Sequence, residues 1–272
     1  MVRFPNCKIN LGLQVTSKRE DGYHNIETIF YPVALKDALE IIVSGELRFT
    51  TSGLEIKGRS EDNLCLKAYH LLQNDFPQLK PVNIHLHKAI PMGAGLGGGS
   101  SNGAFMLTML NDKFELGLSE EALMNYSLKL GSDCPFFIRN APCFATGRGE
   151  VLQPVDVDLS MHDLVLINPG IHVSTAAAFS TLIPNHPHRS LREIIQQPAA
   201  TWADSLTNDF EEPIFKAHPA IKQIKEELYS RGAVYASMTG TGSTVYGLFS
   251  PQSNPTFSLP NHHLITLINA VK

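Results

Sequence analysis

The sequence predicts an α+β protein with two domains. Apolar residues alternate over 7–15, as in a β-strand with one buried face, whereas the apolar residues over 106–114 recur with the spacing of an amphipathic helix. A polar connector over 154–161 precedes a second apolar strand at 164–167. A chain of 272 residues can hold two modest domains. We therefore expect one domain at 1–157 and another at 158–272.

The composition is that of a globular protein in water, with 43% hydrophobic and 18% charged residues. A net charge of −4 argues against nucleic acid as the main partner. The four cysteines show no C-x-x-C spacing, and the sequence contains neither a membrane-length apolar run nor the apolar core of a signal peptide. We expect a cytoplasmic protein that binds neither nucleic acid nor a membrane.

The first strand carries two polar residues, Lys8 and Asn10, which point to the same side because strand side chains alternate. Taken alone, these residues favour a solvated face, and a functional face stays open. An Asp-Gly turn over 18–24 follows and places Tyr23 beside His24. Further strands are predicted over 26–30 and 39–43.

A glycine-rich run over 91–101 lies between a predicted strand at 82–87 and the helix over 106–114. Its backbone N–H groups and the positive end of the helix dipole favour an anion such as phosphate. The run lacks the Gly-Lys-Ser/Thr of a Walker loop, and the Asp-Phe-Gly of protein kinases is missing from the chain. A dinucleotide fingerprint and a plain linker are weaker alternatives.

Polar residues mark two further helix starts in the N-terminal half. Asn63 precedes an apolar stripe that begins at Leu64 and can cap that helix. Pro135 suits the first turn of a helix, so Asp133 lies at its N-terminus, where capping is the ordinary role.

The C-terminal half begins after a tight turn at 147–150 that carries Arg148, for which a plain surface role is an equal alternative. The elements predicted beyond it are a helix from 173, a loop over 183–189, a capped helix start at 208–213, a helix over 221–228, a hairpin with a glycine turn over 236–247 and a strand over 264–268.

Three stretches, in the expected order, resemble the GHMP superfamily of small-molecule kinases, which includes galactokinase, homoserine kinase and mevalonate kinase. The run 91–101 resembles their ATP loop. The stretch Gly131-x-Asp133-x-Pro135-Phe136-Phe137 is similar to the motif that carries the catalytic aspartate. The hairpin over 236–247 is similar to the third motif, which folds back onto the phosphate loop.

One branch of the superfamily fits best. The stretches 8–11, 21–24 and 27–30 read Lys-Ile-Asn-Leu, Asp-Gly-Tyr-His and Glu-Thr-Ile-Phe. They resemble the branch that phosphorylates the 2-hydroxyl of a cytidine diphosphate-linked methylerythritol in the non-mevalonate isoprenoid pathway. This resemblance implies a two-lobed fold, with an N-lobe like domain 2 of ribosomal protein S5 and a ferredoxin-like C-lobe. It also implies ATP and Mg²⁺ as cofactors, a small-molecule acceptor, and a monomer or weak homodimer.

The resemblance also implies roles for individual residues. Asp133 and Lys8 are the expected catalytic residues. The expected ATP-binding residues are Asn63, Leu64, Pro91, Met92, Gly93, Ala94, Gly95, Leu96, Gly97, Gly98, Gly99, Ser100 and Ser101. The expected substrate-binding residues are Asn10, Tyr23, His24, Phe30, Arg148, Thr175, Phe179, Gly240 and Thr241. Tyr23 and Phe179 are expected to provide stacking faces for cytosine, one from each lobe. No counterpart of the superfamily's metal-binding glutamate is evident, so the metal ligands are unassigned.

Two alternatives remain open from the sequence. The nearer is another GHMP kinase of homoserine or mevalonate type. The farther is a non-catalytic RNA-binding module, because the N-lobe fold also occurs in the ribosome, although the net charge of −4 argues against it.

Overall fold

The computed structural model describes residues 1–182, 184, 189–253, 255–257, 260 and 264–268. The described residues form two compact units that interleave along the sequence. The first unit contains Met1–Lys8, Pro32–Met92 and Gly97–Ala141. The second contains Ile9–Tyr31, Gly93–Leu96 and the described residues from Pro142 onward. The α+β class is confirmed, whereas the single boundary between residues 157 and 158 stays a prediction.

The secondary structure elements are numbered in chain order. The strands are β1 (Val2–Arg3), β2 (Asn6–Lys18), β3 (His24–Lys36), β4 (Ala38–Val43), β5 (Arg48–Gly53), β6 (Val82–Lys88), β7 (Cys143–Thr146), β8 (Val151–Pro154), β9 (Asp163–Asn168), β10 (Tyr235–Met238), β11 (Val245–Phe249) and β12 (Leu264–Ile268). The α-helices are α1 (Leu64–Asp75), α2 (Gly98–Lys113), α3 (Glu120–Leu130), α4 (Cys134–Arg139), α5 (Thr175–Ser180), α6 (Leu191–Ile194), α7 (Glu211–Ala217) and α8 (Pro219–Ser230).

The first unit has a four-stranded sheet in the order β1-β4-β6-β5, in which β5 runs parallel to β6. Leu39 and Ile41 of β4 and Ile84 of β6 face a core that α1, α2 and α3 complete with Tyr69, Leu107 and other apolar side chains. The strands β4 and β6 and the helices α1 and α2 confirm predictions from periodicity, and α4 confirms the helix start predicted at Pro135. The strand β5 was not predicted, because five of its six residues are polar or glycine.

The second unit contains two four-stranded sheets. One has the order β2-β3-β7-β8, and only the first residues of β2 and the last of β3 belong to the first unit. The other is antiparallel, with the order β10-β11-β9-β12. If the four strands of this sheet are numbered 1 to 4 along the chain, their order across the sheet is 2-3-1-4. This is the strand order of a ferredoxin-like sheet, as expected for the C-lobe.

The loops and turns largely follow the predictions. The turn over 18–24 forms as expected, with the Arg19 N–H donating to the Tyr23 carbonyl at 2.8 Å and Gly22 at φ 84°. The hairpin over 236–247 is present as β10 and β11. The predicted loop over 183–189 lies mostly outside the described residues. None of the described helices combines the length and apolar character needed to cross a membrane.

Candidate functional site

The glycine-rich loop connects β6 to α2 and has a backbone that only glycine adopts readily. Gly93, Gly95 and Gly97 have φ values of 62°, 77° and 67°. A side chain at any of these positions would be strained in this conformation. The sequence therefore encodes one specific loop shape, which a flexible linker would not require.

The helix α2 begins inside the glycine run, at Gly98. Its N-cap, Gly97, has no side chain that could satisfy the N–H groups of the first turn, and that turn contains no acidic residue. These N–H groups have no acceptor within the helix and carry the positive end of its dipole. The buried hydroxyl of Ser101 also has no hydrogen-bond partner among the described residues. This arrangement suits an anionic ligand.

Lys8 and Asp133 meet within the first unit. The Lys8 Nζ lies 3.7 Å from Asp133 Oδ2, and the two side chains are 5% and 34% exposed. Burial lowers the pKa of the Lys8 ammonium, and the attraction of the Asp133 carboxylate opposes that shift. A Cβ atom placed on Gly97 would be 3.2 Å from Lys8 Cε. The ion pair is therefore next to the start of α2.

The structure distinguishes between the alternative roles of these residues. The solvated face suggested for Lys8 and Asn10 is wrong, because the two residues are only 4% and 1% exposed. Asp133 is at the N-cap of α4, but its carboxylate makes no capping hydrogen bond in the described part of the chain. The contact with Lys8 is thus better supported than a capping role.

The third motif contacts the glycine-rich loop within the second unit, as the resemblance implied. Thr239 Oγ1 accepts from the Asn10 N–H at 3.0 Å and lies 3.1 Å from both Asn10 Oδ1 and the Gly95 carbonyl oxygen. The Thr244 N–H donates to the Ala94 carbonyl at 3.3 Å. A Cβ on Gly95 would overlap the Thr239 carbonyl oxygen. The positioning role of Thr239 was not predicted, since its partners are distant in sequence.

Tyr23 projects from the Asp-Gly turn and is 56% exposed. The Asp21 carboxylate accepts from the Tyr23 N–H at 3.1 Å, which fixes the backbone of the turn. The Arg148 guanidinium lies over the Tyr23 ring, with 4.9 Å between the guanidinium carbon and the ring centroid. Arg148 Nε is also 3.6 Å from Glu150 Oε1. The second unit thus presents a cation and an aromatic ring together.

His24 and Phe179 are stacked on each other, with centroids 5.0 Å apart and an interplanar angle of 24°. Phe179 also makes an edge-to-face contact with Phe210 at 4.8 Å. Tyr23 and Phe179 both belong to the second unit. The expectation that each lobe contributes one stacking face stays a prediction, because it depends on the predicted boundary between residues 157 and 158. In this structure the neighbour on the Phe179 face is His24, not Tyr23.

The remaining predicted substrate residues differ in their surroundings. The hydroxyls of Thr175 and Thr241 are 3.4 Å apart, and Gly240 packs against the backbone of Gly95. Phe30 is only 1% exposed, because its ring is part of the core. Its contact with substrate therefore gains no support and stays a prediction.

Two roles were predicted for Asn63, a helix cap and an ATP contact, and the structure shows the first. Asn63 Oδ1 accepts from the Cys65 N–H at 2.9 Å and caps α1. The next residue, Leu64, packs against α2, since its Cβ would be 2.9 Å from a Cβ on Gly103. Contacts of Asn63 and Leu64 with adenine stay predictions.

Comparison with known proteins identifies relatives over nearly the whole chain. The family model of the GHMP kinases N terminal domain matches residues 63–141, and that of the GHMP kinases C terminal domain matches residues 181–256. The 4-diphosphocytidyl-2-C-methyl-D-erythritol kinase of Bacteroides fragilis is 53% identical over 260 residues, which cover 94% of each chain.

Solved structures agree with this relationship. A crystal structure of 4-(cytidine 5'-diphospho)-2C-methyl-D-erythritol kinase matches with a TM-score of 0.81 and 31% identity, over 93% of this chain and 92% of that one. Homoserine kinase from Cytophaga hutchinsonii matches with a TM-score of 0.64 and 13% identity, over 97% and 95% of the two chains. At that identity the second match shows a shared fold alone.

A valine at Gly99 tests the anion site at the start of α2. The nearest atom to a Cβ there is Met92 Cε at 3.7 Å, and Gly99 is not among the glycines with positive φ. We expect Gly99→Val to fold normally but to obstruct phosphate, raising the dissociation constant for ATP roughly tenfold, or about 1.4 kcal/mol. Calorimetric titration with ATP measures the change.

The matched control for this substitution is Gly45→Val, since Gly45 also has open space around it. The control should bind ATP like the wild type. An ATP affinity of Gly99→Val equal to that of the control would show that the first turn of α2 does not bind the phosphates.

Proposed function

We propose that this chain, which belongs to the 4-diphosphocytidyl-2-C-methyl-D-erythritol kinases of the GHMP family, transfers the γ-phosphoryl group of ATP to the 2-hydroxyl of 4-diphosphocytidyl-2-C-methyl-D-erythritol. The reaction would be a step of the non-mevalonate isoprenoid precursor pathway, carried out in the cytoplasm. The observation that carries the proposal is the Lys8–Asp133 pair, whose Nζ and Oδ2 atoms are 3.7 Å apart.

Phosphoryl transfer needs positioning and electrostatic stabilisation more than covalent chemistry by the protein. In our proposal the N–H groups of the loop and of the first turn of α2 bind the triphosphate. The Lys8 ammonium then offsets the negative charge that develops on the transferring group. Its burial keeps water away from that charge and strengthens the interaction, because the effective dielectric constant is lower there.

Asp133 is the proposed acceptor or orienting partner for the proton of the acceptor hydroxyl. Its side chain is 34% exposed, so a substrate group can reach the carboxylate. Asp133 Oδ2 lies 3.7 Å from Lys8 Nζ, so the ammonium can help to hold the carboxylate in place beside the acceptor hydroxyl. A single ion pair thereby provides both the base and the cation for the transfer.

We propose that ATP is used as its magnesium complex. Among the described residues, no group of three or more His, Cys, Asp or Glu side chains is arranged to hold a metal ion. Mg²⁺ commonly keeps several waters and is bound by substrate phosphates with one or two carboxylates, which fits a chain without a preformed cage. When bound, the ion would neutralise part of the triphosphate charge.

Acceptor recognition is proposed for the second unit. The exposed Tyr23 ring has Arg148 over it and can offer a face to cytosine, while Arg148 can attract the diphosphate. His24 can reach the pairing edge of the base, and its stacking on Phe179 holds its ring in place. Asn10, Thr175, Gly240 and Thr241 are the remaining candidates for contacts with the acceptor.

A substrate panel tests the function directly. We expect ADP release with the cytidyl substrate to exceed that with homoserine, mevalonate or galactose by orders of magnitude in kcat/KM. The uridine analogue should also be poor, because its pairing edge exchanges a donor for an acceptor and leaves buried groups unpaired. Faster turnover of homoserine or mevalonate would instead support the other GHMP kinase activities.

Removing the charge of Asp133 tests its role. We expect Asp133→Asn to fold, to retain most of its ATP affinity, and to lose roughly 10²-fold or more in kcat, the range for general-base and electrostatic groups. Asp112→Asn is the matched control, because the Asp112 side chain is similarly exposed, at 39%, and also pairs with a cation. Equal kcat values for the two variants would contradict the assignment.

Truncating Tyr23 tests the stacking surface. Loss of a base–aromatic stack of about 1–3 kcal/mol predicts that Tyr23→Ala raises KM for the cytidyl substrate roughly ten- to a hundredfold. Tyr23→Phe retains the ring and should remain close to wild type. KM for ATP should be unchanged in both variants. An effect confined to ATP would remove Tyr23 from the acceptor site.

A further inference from the structure

Three polar side chains are buried together in the first unit. Asp37, Lys88 and Asn102 are only 1%, 1% and 2% exposed. Lys88 Nζ donates to Asp37 Oδ2 at 2.5 Å and to Asn102 Oδ1 at 3.2 Å. Asn102 Nδ2 donates to Asp37 Oδ2 at 2.8 Å. The three groups therefore form a closed triangle of hydrogen bonds.

The triangle is also bonded to the backbone that leads into the glycine-rich loop. Asp37 Oδ1 accepts from the N–H groups of Ala89 and Ile90, at 2.8 Å and 2.9 Å. These two residues directly follow β6. Asn102 lies beyond the loop, in the early part of α2. The network thus holds the chain on both sides of the loop.

The Lys88 ammonium lies against the first turn of α2. A Cβ atom placed on Gly98 would be 3.1 Å from Lys88 Nζ and 2.8 Å from Ile90 Cγ2. The start of the helix is thus packed directly against Lys88 and against the side chain of Ile90, just after β6. The helix N–H groups assigned to the phosphates belong to this same turn.

A gain in folding stability does not by itself explain why these charged and polar groups are buried. Desolvation of two buried charges is expensive, and replacement of a buried ion pair by apolar residues is often neutral or stabilising. What the pair and the amide provide is directional bonding that apolar residues lack. A glycine-rich loop has few side chains with which to fix its own conformation, so it depends on such external bonds.

We propose that Asp37, Lys88 and Asn102 are positioning residues that set the glycine-rich loop in its ATP-binding conformation. None of the three needs to touch the nucleotide. This inference rests on the proposed function, since it assigns a cause to the affinity of the loop for ATP. It locates that cause in a network that the resemblance to other kinases did not indicate.

Removal of the Asp37 charge tests the network. Asp37→Asn preserves the shape of the side chain but leaves the Lys88 ammonium without an anionic partner. We expect KM for ATP to rise roughly 10- to 100-fold, as for other small displacements of binding groups. KM for the acceptor should be unchanged. In the unliganded protein, backbone amides over 89–101 should exchange hydrogen for deuterium faster than in the wild type.

The double variant Asp37→Asn/Asn102→Asp restores a carboxylate to the triangle. The carboxylate at position 102 can accept from Lys88 Nζ, and the amide at position 37 can donate to that carboxylate and still accept from Ala89 and Ile90. We expect this rescue to return KM for ATP and the loop exchange to within about threefold of wild type, because Lys88 regains an anionic partner and position 37 is again bonded to position 102 of α2.

Leu72→Ala is the control for loss of stability, since Leu72 is fully buried in the core of the same unit, on α1. It should lower the melting temperature and leave KM for ATP unchanged. If Asp37→Asn fails to fold, Asn102→Ala replaces it, because that variant retains the Lys88–Asp37 pair. We expect Asn102→Ala to raise KM for ATP and to speed loop exchange.

Wild-type KM for ATP and wild-type loop exchange in Asp37→Asn, or in its replacement, would overturn the proposal. So would a folded double variant that shows no rescue. Exchange is measured without nucleotide, so it tests the positioning network even if the wild type transfers phosphate to none of the acceptors. A wild type that transfers phosphate to none of the acceptors would reject the proposed function but not the positioning network.

Discussion

The glycine-rich loop depends on a buried ion pair that lies outside it. A loop can bring its N–H groups close to a polyanion only if it lacks bulky side chains, and the same lack deprives it of packing contacts. The Asp37 carboxylate compensates by bonding to Lys88, Asn102 and two backbone N–H groups. Rigidity therefore comes from the residues on either side and from the third motif, in which Thr239 and Thr244 bond to the carbonyls of Gly95 and Ala94. The loop can then expose its N–H groups.

The charges near the start of α2 are arranged for an anion. The helix begins without a capping side chain and without an acidic first turn. Lys88 is neutralised by Asp37, so it adds little net charge there. Lys8 has a partner that is partly exposed, at 34%, while its own side chain is 5% exposed. A carboxylate that water and substrate can reach suits proton transfer, and a buried ammonium suits charge stabilisation.

The two units carry different parts of the proposed chemistry. Lys8, Asp133 and the start of α2 belong to the first unit, and these are the groups proposed to handle phosphate and proton. Tyr23, His24, Arg148 and Phe179 belong to the second, and these groups suit an aromatic base and its diphosphate. Because an exposed turn can change without altering the buried ion pairs, such a division would let the acceptor change while the groups proposed to handle phosphate are kept.

Local periodicity in the sequence by itself predicted most of the strands and helices, and the order of its motifs identified the family. The phosphate-binding role of the loop and the catalytic roles of Lys8 and Asp133 stay predictions. Tertiary structure alone decided which polar groups are buried. Alternation placed Lys8 and Asn10 on one face but could not show what covers it, and the Thr239 that bonds to Asn10 is 229 residues away. The same limit hid the Asp37–Lys88–Asn102 network and the core position of Phe30. Periodicity reports the direction of a side chain, whereas burial depends on packing between segments that are far apart in the chain.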